Sequence, residues 1–228
     1  MRQTKEPQYN RHVKHYQHGA ASLGITASYL WHHDPKHVVF TLSRYKFAAK
    51  MLAGGKQVAE VGCGDAFGSR LVAAEVGKLD GYDFDPVFVD NAIATNHDRA
   101  NQRFFVHDIL AEPLPRRYDS LYALDVVEHI SPRQEKKFIL HLVMSLQSPG
   151  ILILGTPNVT SQPYASRPSR EGHVNCKTFD ELKALFQQYF KTVFMFSMND
   201  EVVHTGFGPM AHYLFGIGIG IKTRSRQT

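Results

Sequence analysis

The stretch from Val58 to Gly68 constrains the fold more than any other part of this 228-residue chain. A short run with strand character carries one acidic residue, Glu60, and a turn containing Gly62 and Gly64 follows it. In such a turn, at the carboxyl end of a parallel strand, backbone N–H groups can hold a nucleotide-like ligand. The pattern therefore predicts an α/β fold with a ligand site at one edge of a sheet.

Strand-like and helix-like patterns alternate along most of the chain. We predict strands at residues 57–61, 79–83, 103–107, 118–124, 150–155, 191–197 and 209–219. We predict helices from Asp34-Pro35 to about 52, at 67–76, at 86–97, from Ser131-Pro132 to about 146, and at 179–188. This alternation is typical of an α/β protein with a doubly wound, seven-stranded, mostly parallel sheet and helices on both faces.

The charge and the pattern divide the chain into two parts. Residues 1–33 show no clear period, so we expect an irregular basic N-terminal arm, followed by a single domain over 34–228. The first 56 residues hold nine Lys or Arg and only two Asp or Glu. This excess of positive charge suits binding of an anionic partner, or simply a solvated helix face. The polar stretch near 156–176 carries three prolines and is expected to be a substrate loop.

Composition points to a reducing compartment. The chain has two cysteines, Cys63 and Cys176, and no CxxC pair, so neither a disulfide framework nor a zinc knuckle is expected. The residues after Met1 lack the apolar run of a signal peptide, and the longest apolar tract, 209–221, is too short to span a bilayer. We therefore expect a cytoplasmic protein without a membrane span.

Four acidic residues stand at the ends of four successive predicted strands. These residues are Glu60, Asp83, Asp108 and Asp125. In a doubly wound sheet the ligand lies outside the carboxyl ends of the strands, at the switch point of the strand order. Four carboxylates are therefore expected at the same edge as the glycine turn.

In this order and spacing, the motifs resemble those of class I S-adenosylmethionine-dependent methyltransferases, over roughly residues 36–200. The resemblance implies a Rossmann-like methyltransferase fold with S-adenosylmethionine as cofactor. The first family motif corresponds to Glu60, Gly62 and Gly64, with Ala66 standing where the family has a third glycine. Nineteen residues after Gly64, Asp83 takes the position of the acid that binds the ribose.

The same resemblance implies roles for other residues. Phe84 would pack near the adenine, Asp108 would accept from its amino group, and Ile109 would lie against the ring. Asp125 begins the motif beside the transferred methyl group. Arg44 lies on the helix before the glycine turn, and comparable helices of the family often contact the cofactor's carboxylate; a surface arginine is the alternative.

The acceptor chemistry is less constrained. Methyl transfer from a sulfonium depends mainly on alignment of donor and acceptor, and an acceptor hydroxyl also needs a base. His129 and His173 are the candidate catalytic bases, because each is expected in a loop at the ligand edge. Asp125, Glu128 and His129 are a set that could hold a metal, but such neighbours are common without one, and no metal is assigned.

We therefore expect methyl transfer to an oxygen or nitrogen of a small molecule, such as a sugar, a nucleotide-linked sugar or another anionic metabolite. A nucleic-acid methyltransferase stays an alternative because of the basic arm. A NAD-dependent oxidoreductase is disfavoured because Phe67 occupies the third glycine position of the dinucleotide fingerprint. An inactive cofactor-binding scaffold is the remaining alternative, and the oligomeric state stays open.

Overall fold

A computed structural model describes residues 4–16 and 19–222 of the chain. Within these ranges, eight strands form one sheet. Numbered along the chain, they are β1 Gln57–Val61, β2 Lys78–Asp83, β3 Gln102–Val106, β4 Tyr118–Leu124, β5 Leu146–Pro157, β6 Phe190–Asn199, β7 Val202–His204 and β8 Tyr213–Ile221.

Helices connect most of the strands. They are α1 Asn10–Tyr16, α2 Ile25–His33, α3 Pro35–Met51, α4 Ser69–Ala73, α5 Pro86–Thr95, α6 Pro132–Met144, α7 Arg167–Gly172 and α8 Phe179–Tyr189. Short 3-10 turns add to these, including one at Val127–His129 after β4 and one at Val159–Tyr164 after β5. Every helix in the described ranges is too short or too polar to cross a lipid bilayer.

The strand order is β3-β2-β1-β4-β5-β8-β6-β7. Strands β1 to β5 pair in parallel, whereas β8 lies antiparallel between β5 and β6, and β7 pairs antiparallel with β6. The order reverses between β1 and β4, so the switch point lies beside the glycine turn that follows β1. The predicted α/β class and doubly wound sheet are confirmed. The strand count is wrong by one, because β7 has three residues and is too short to show a period.

Two apolar layers cover the two faces of the sheet. One contains side chains of α6 and α8, such as Phe138 and Leu182, packed on the sheet. The other contains side chains of α3 and α4, such as Ala48 and Val72. The prediction of helices on both faces is therefore confirmed, and the carboxyl ends of the central strands are left for a ligand.

The prediction of an irregular arm over residues 1–33 is wrong for 10–16 and 25–33, which form α1 and α2. The first turn of α2 is held by side chains far away in the sequence. The Ile25 N–H donates to Asn91 Oδ1 at 3.1 Å, and the Ala27 N–H donates to Asp65 Oδ2 at 2.9 Å. Local periodicity cannot show such long-range caps. The division between an arm and a domain at residue 34 stays a prediction.

Glycines on β8 make room for aromatic rings. A Cβ on Gly218 would lie 2.4 Å from ring atoms of Phe190, and a Cβ on Gly216 would lie 2.7 Å from Phe186. No real Cβ sits that close to another heavy atom, so the ring or the strand would have to move. The alternating glycines of this tract therefore serve close packing of α8 and β6 on the sheet.

Substitution of Gly218 by alanine tests this packing. We expect Gly218→Ala to lower the free energy of unfolding by about 1–3 kcal/mol, the usual cost of overpacking a core. Denaturant titration followed by circular dichroism measures the change. Thr192→Ala, at an exposed position of the neighbouring strand, is the control and should cost much less. Equal stability of Gly218→Ala and wild type would contradict the packing argument.

Candidate functional site

The glycine turn after β1 has a backbone that suits glycine at two positions. Gly62 and Gly64 have φ angles of 77° and 52°, in the left-handed region. A Cβ on Gly62 would lie 2.3 Å from Val126 Cγ2, whereas the space around Gly64 is open. Ala66, where the methyltransferase family has glycine, also has a left-handed φ, at 56°. The turn therefore keeps its shape although alanine stands at this position. The open space around Gly64 leaves its backbone accessible to a ligand.

Glu60 lies beneath the turn, with 1% of its surface exposed. Its carboxylate accepts hydrogen bonds from Tyr45 Oη at 2.7 Å, from Tyr122 Oη at 2.8 Å and from Ser69 Oγ. These partners come from α3, β4 and α4, so the carboxylate ties three elements to the end of β1. Burial raises the pKa of Glu60 to about 7, although the hydroxyl hydrogen bonds act in the opposite direction. A direct contact of Glu60 with the cofactor stays a prediction.

A cavity of about 230 Å³ opens between the turn, α2 and α3. Its walls come from α2, α3, the turn and the end of β4. The residues that line it are Thr26, Ala27, Leu30, Val38, Thr41, Tyr45, Gly62, Cys63, Gly64, Asp65, Phe67, Gly68, Leu124 and Asp125. Sequence patterns do not show the part that α2 contributes, because this wall depends on the long-range bond from the Ala27 N–H to Asp65.

The predicted ribose acid, Asp83, lies at the end of β2 next to the turn. Its Oδ2 accepts from the Gly64 N–H at 2.9 Å, and its Oδ1 accepts from the Asp85 N–H at 3.0 Å. A carboxylate has about four acceptor positions, so each oxygen keeps one for another donor. The structure thus joins Asp83 and Gly64 directly, and the predicted contact of Asp83 with a ribose stays a prediction.

The residues predicted to contact the adenine follow β2 and β3, and they are not among the residues that line the cavity. Phe84 is 74% exposed, and Ile109 is buried with 7% of its surface exposed. Asp108 is exposed and accepts from the Leu110 N–H at 2.8 Å, a bond that fixes the loop after β3. The cavity is therefore continued by an open surface at the ends of β2 and β3.

Asp125 lies in the cavity wall, where it pairs with Arg44. Arg44 Nη1 donates to Oδ1 at 2.8 Å and to Oδ2 at 2.9 Å, and the guanidinium carbon lies 4.0 Å from the centre of the Tyr213 ring. The Asp125 backbone is left-handed, with a φ of 57°. Arg44 is thus a buried partner of Asp125 and not a surface arginine. Its predicted contact with the cofactor stays a prediction.

The two candidate bases, His129 and His173, lie side by side, although 43 residues separate them. Their ring centres are 5.1 Å apart. The Nδ1–H of His129 donates to the Gly172 carbonyl at 3.0 Å, and that of His173 donates to Gln162 Oε1 at 3.1 Å. Burial and the nearby His129 lower the pKa of His173, so this ring is neutral near pH 7. In a neutral ring with a proton on Nδ1, the Nε2 lone pair is free to act.

Glu128 precedes His129 and is fully buried. Its Oε2 accepts from Thr156 Oγ1 at 3.2 Å, whereas Oε1 has no hydrogen-bond partner among the described residues. Burial, followed by the nearby Asp125 carboxylate, raises the pKa of Glu128 to about 8. One carboxylate and two imidazoles therefore meet next to Asp125.

The stretch predicted as a substrate loop, 156–176, contains a 3-10 turn and α7. Two of its cationic side chains have partners. Arg167 pairs with Glu171 at 2.7 Å, and Arg170 donates to the Ala165 carbonyl at 2.8 Å. Both arginines belong to α7, and their partners lie on the same helix or directly before it.

A second, smaller concavity of about 100 Å³ lies at the opposite edge of the sheet. It is lined by Lys78, Arg103 and Arg116 around the buried carboxylate of Asp80, which pairs with Arg103 at 2.9 Å. This edge carries the amino ends of the parallel strands, whereas ligands of doubly wound sheets bind at the carboxyl ends. We therefore place the functional site at the glycine turn.

Known proteins resemble this chain in sequence and in fold. Residues 58–150 match the methyltransferase domain family. Over 136 residues the chain is 29% identical to a probable S-adenosylmethionine-dependent methyltransferase of Mycolicibacterium smegmatis, a match that covers 58% of this chain and 51% of the relative. The chain thus spans about half the length of the curated relatives it matches.

Two methyltransferases are examples of solved structures that share the fold. The N-methyltransferase NodS of Bradyrhizobium japonicum, solved with S-adenosyl-L-homocysteine, has a TM-score of 0.61 at 15% identity, covering 83% of this chain and 90% of NodS. A TehB-like S-adenosylmethionine-dependent methyltransferase of Corynebacterium glutamicum has a TM-score of 0.59 at 13% identity, covering 94% of this chain and 97% of the other.

The raised pKa of Glu60 predicts a pH-dependent stability. The unfolded state releases this proton near pH 4.5 and the folded state near pH 7, so the folded state binds more protons between these values. The stability that the protonated carboxyl contributes is fully present below pH 4.5 and is lost as the pH rises to 7. We therefore expect the wild type to lose stability relative to Glu60→Gln over this range.

Urea titrations of both proteins at several pH values measure this difference. Glu112→Gln, at an exposed position, is the control and should follow the wild type at every pH. If the free energies of unfolding of wild type and Glu60→Gln differ by a constant amount from pH 4.5 to 8, Glu60 does not have a raised pKa in the folded state.

Proposed function

Because the chain belongs to the class I S-adenosylmethionine-dependent methyltransferases, we propose that it transfers the methyl group of S-adenosylmethionine to an oxygen or nitrogen of a small molecule. The observation that carries the proposal is the junction of Gly64 and Asp83 at the switch point, where the turn and the ribose acid meet within 2.9 Å. Family membership also removes the NAD-dependent alternative.

The cofactor is proposed to lie across two surfaces. Its methionine part occupies the cavity beside Gly62, Gly64 and Asp125. Its ribose hydroxyls donate to the remaining acceptor positions of Asp83, and its adenine lies between Phe84 and Ile109 with the amino group toward Asp108. Support comes from the order of these residues along the sheet edge, which follows the order of the cofactor's parts.

Asp125 lines the cavity, and Asp125 and Arg44 lie close enough to His173 for their charges to act on it. In-line displacement requires the acceptor atom to approach the methyl carbon on the side opposite the sulfur, at about 3–3.5 Å. We propose that the acceptor enters from the side of His129 and His173. A free Nε2 on either ring suits removal of a proton from an acceptor hydroxyl or ammonium.

A sugar, a nucleotide-linked sugar or another anionic metabolite is the proposed acceptor. The basic charge of residues 1–56 supports an acceptor that carries an anionic group. Arg167 and Arg170 are not assigned to bind that group, because they already bind Glu171 and the Ala165 carbonyl. The same basic charge supports the alternative acceptor, a nucleic acid. Transfer of labelled methyl groups to sugar nucleotides, phenols, amines or RNA distinguishes these acceptors, and transfer to none of them would favour a binding scaffold.

Substitution of the proposed ribose acid tests the cofactor site. We expect Asp83→Ala to weaken S-adenosylhomocysteine binding by about 1.5–3 kcal/mol, the range for losing hydrogen bonds to a charged group. Isothermal titration calorimetry gives the change directly. The matched control is Asp90→Ala, at an exposed position of α5, which should bind like wild type. Unchanged affinity in Asp83→Ala would mean that the ribose lies elsewhere.

Substitution of the histidines tests the acceptor side. We expect His129→Ala and His173→Ala to keep S-adenosylhomocysteine affinity and to lower turnover by about 10²-fold or more, since each loses a group for proton transfer. Steady-state assays with the acceptor found in the screen measure turnover. Full activity of both variants would exclude a role for these two rings.

A further inference from the structure

Three metal-ligating side chains converge beside the proposed methyl-transfer site. Glu128, His129 and His173 each offer one ligand atom, and these three atoms lie within 4.8 Å of one another. Donors that share a cation at about 2.1 Å lie about 3.0–3.4 Å apart at tetrahedral or octahedral angles, so ligand atoms at the full 4.8 Å would have to move about 1.4–1.8 Å closer, by rotation of their side chains, to bind one ion. The juxtaposition depends on the fold, because His173 is far from the other two in the sequence.

Each of the three side chains is already oriented. The Nδ1 atoms of His129 and His173 donate to the Gly172 carbonyl and to Gln162 Oε1, which leaves Nε2 as the atom each ring can offer to a cation. Metal-binding histidines usually show this kind of second bond. The backbone joins the two segments as well, since the Glu128 carbonyl accepts from the N–H groups of Val174 and Asn175 at 2.8 and 3.0 Å.

An independent observation concerns Glu128 itself. Its side chain is fully buried, and Oε1 lacks a hydrogen-bond partner within residues 4–16 and 19–222. An unpaired carboxylate oxygen in the interior is costly unless a cation or a proton compensates it. The neighbouring Arg44 gives its Nη1 to Asp125, and it makes no hydrogen bond to Glu128 among the described residues. A cation shared with the two imidazoles would compensate this oxygen in place of a proton.

We propose that Glu128, His129 and His173 bind a divalent cation, with coordination positions left open for an oxygen of the methyl acceptor. Two imidazoles and one carboxylate suit a divalent ion of the manganese, iron or zinc class. The exposure of His129 gives the ion and the acceptor a route from solvent. The proposal revises the sequence-based assignment, which included no metal and considered Asp125 in place of His173.

This inference rests on the proposed methyl transfer and narrows its acceptor to one with a hydroxyl group. A hydroxyl bound to a divalent cation loses its proton more easily, and the proton passes to solvent. The oxygen lone pair then forms the bond to the methyl carbon. The carbon–sulfur bond breaks with its electron pair on sulfur, which leaves neutral S-adenosylhomocysteine. With the cation bound, His129 and His173 would act as its ligands; without it, either ring keeps the free Nε2 proposed above as the base.

Manganese binding to the full chain tests the site. The protein is treated with chelator, dialysed and titrated with MnCl₂, and free Mn²⁺ is measured by electron paramagnetic resonance. We expect one Mn²⁺ per chain for wild type, and affinity reduced by more than about 10-fold in Glu128→Gln and in His173→Gln, since loss of an outer-shell partner alone costs about 10–100-fold. His97→Ala, which removes an exposed histidine that follows α5, should bind Mn²⁺ like wild type.

Calorimetry with S-adenosylhomocysteine on the same samples separates the two proposals and shows that the variants are folded. Absence of stoichiometric Mn²⁺ binding in a wild type that binds S-adenosylhomocysteine would overturn the metal site alone. Unchanged Mn²⁺ affinity in both Glu128→Gln and His173→Gln would also overturn it. Mn²⁺ binding without S-adenosylhomocysteine binding would support the metal site and overturn the proposed function.

Discussion

The buried carboxylate of Glu60 is the interaction on which the site depends. Three hydroxyl groups, from Tyr45, Ser69 and Tyr122, donate to it from three different elements. Removing a charge of this kind from water is unfavourable, and the hydrogen bonds offset that cost only if α3, α4 and β4 keep their positions. The carboxylate therefore fixes the direction in which the chain leaves β1. Gly62 and Gly64 can then form a turn that is open to a ligand.

Asp125 connects the two halves of the site. On one side it lines the cavity next to the glycine turn, and on the other it precedes the 3-10 turn that holds Glu128 and His129. The bond from Arg44 neutralises it, and Tyr213 packs against the guanidinium. Arg44 gives its Nη1 to Asp125, and Oε1 of Glu128 has no hydrogen-bond partner within the part of the chain that the structure describes. The electrostatics of the cofactor side and of the histidine side are thus coupled through one ion pair.

The sequence predicted those parts of the site that local patterns determine. Strand periodicity placed Glu60, Asp83, Asp108 and Asp125 at strand ends, and parallel pairing then brings strand ends to one edge. Long-range contacts decided the rest. The cap from Asp65 to Ala27 and the closeness of His129 and His173 join residues 38 and 44 positions apart, so no periodicity shows them. The short strand β7 was not predicted for a different reason: three residues are too few to show an alternation of apolar and polar side chains.

A crystal structure of the full chain with S-adenosylhomocysteine tests the central claim most directly. The account predicts the sulfur in the cavity between Gly64 and Asp125, the ribose hydroxyls on Asp83 and the adenine against Ile109. Density for the ligand at the opposite edge, beside Asp80 and Arg103, or no bound ligand at saturating concentration, would contradict it.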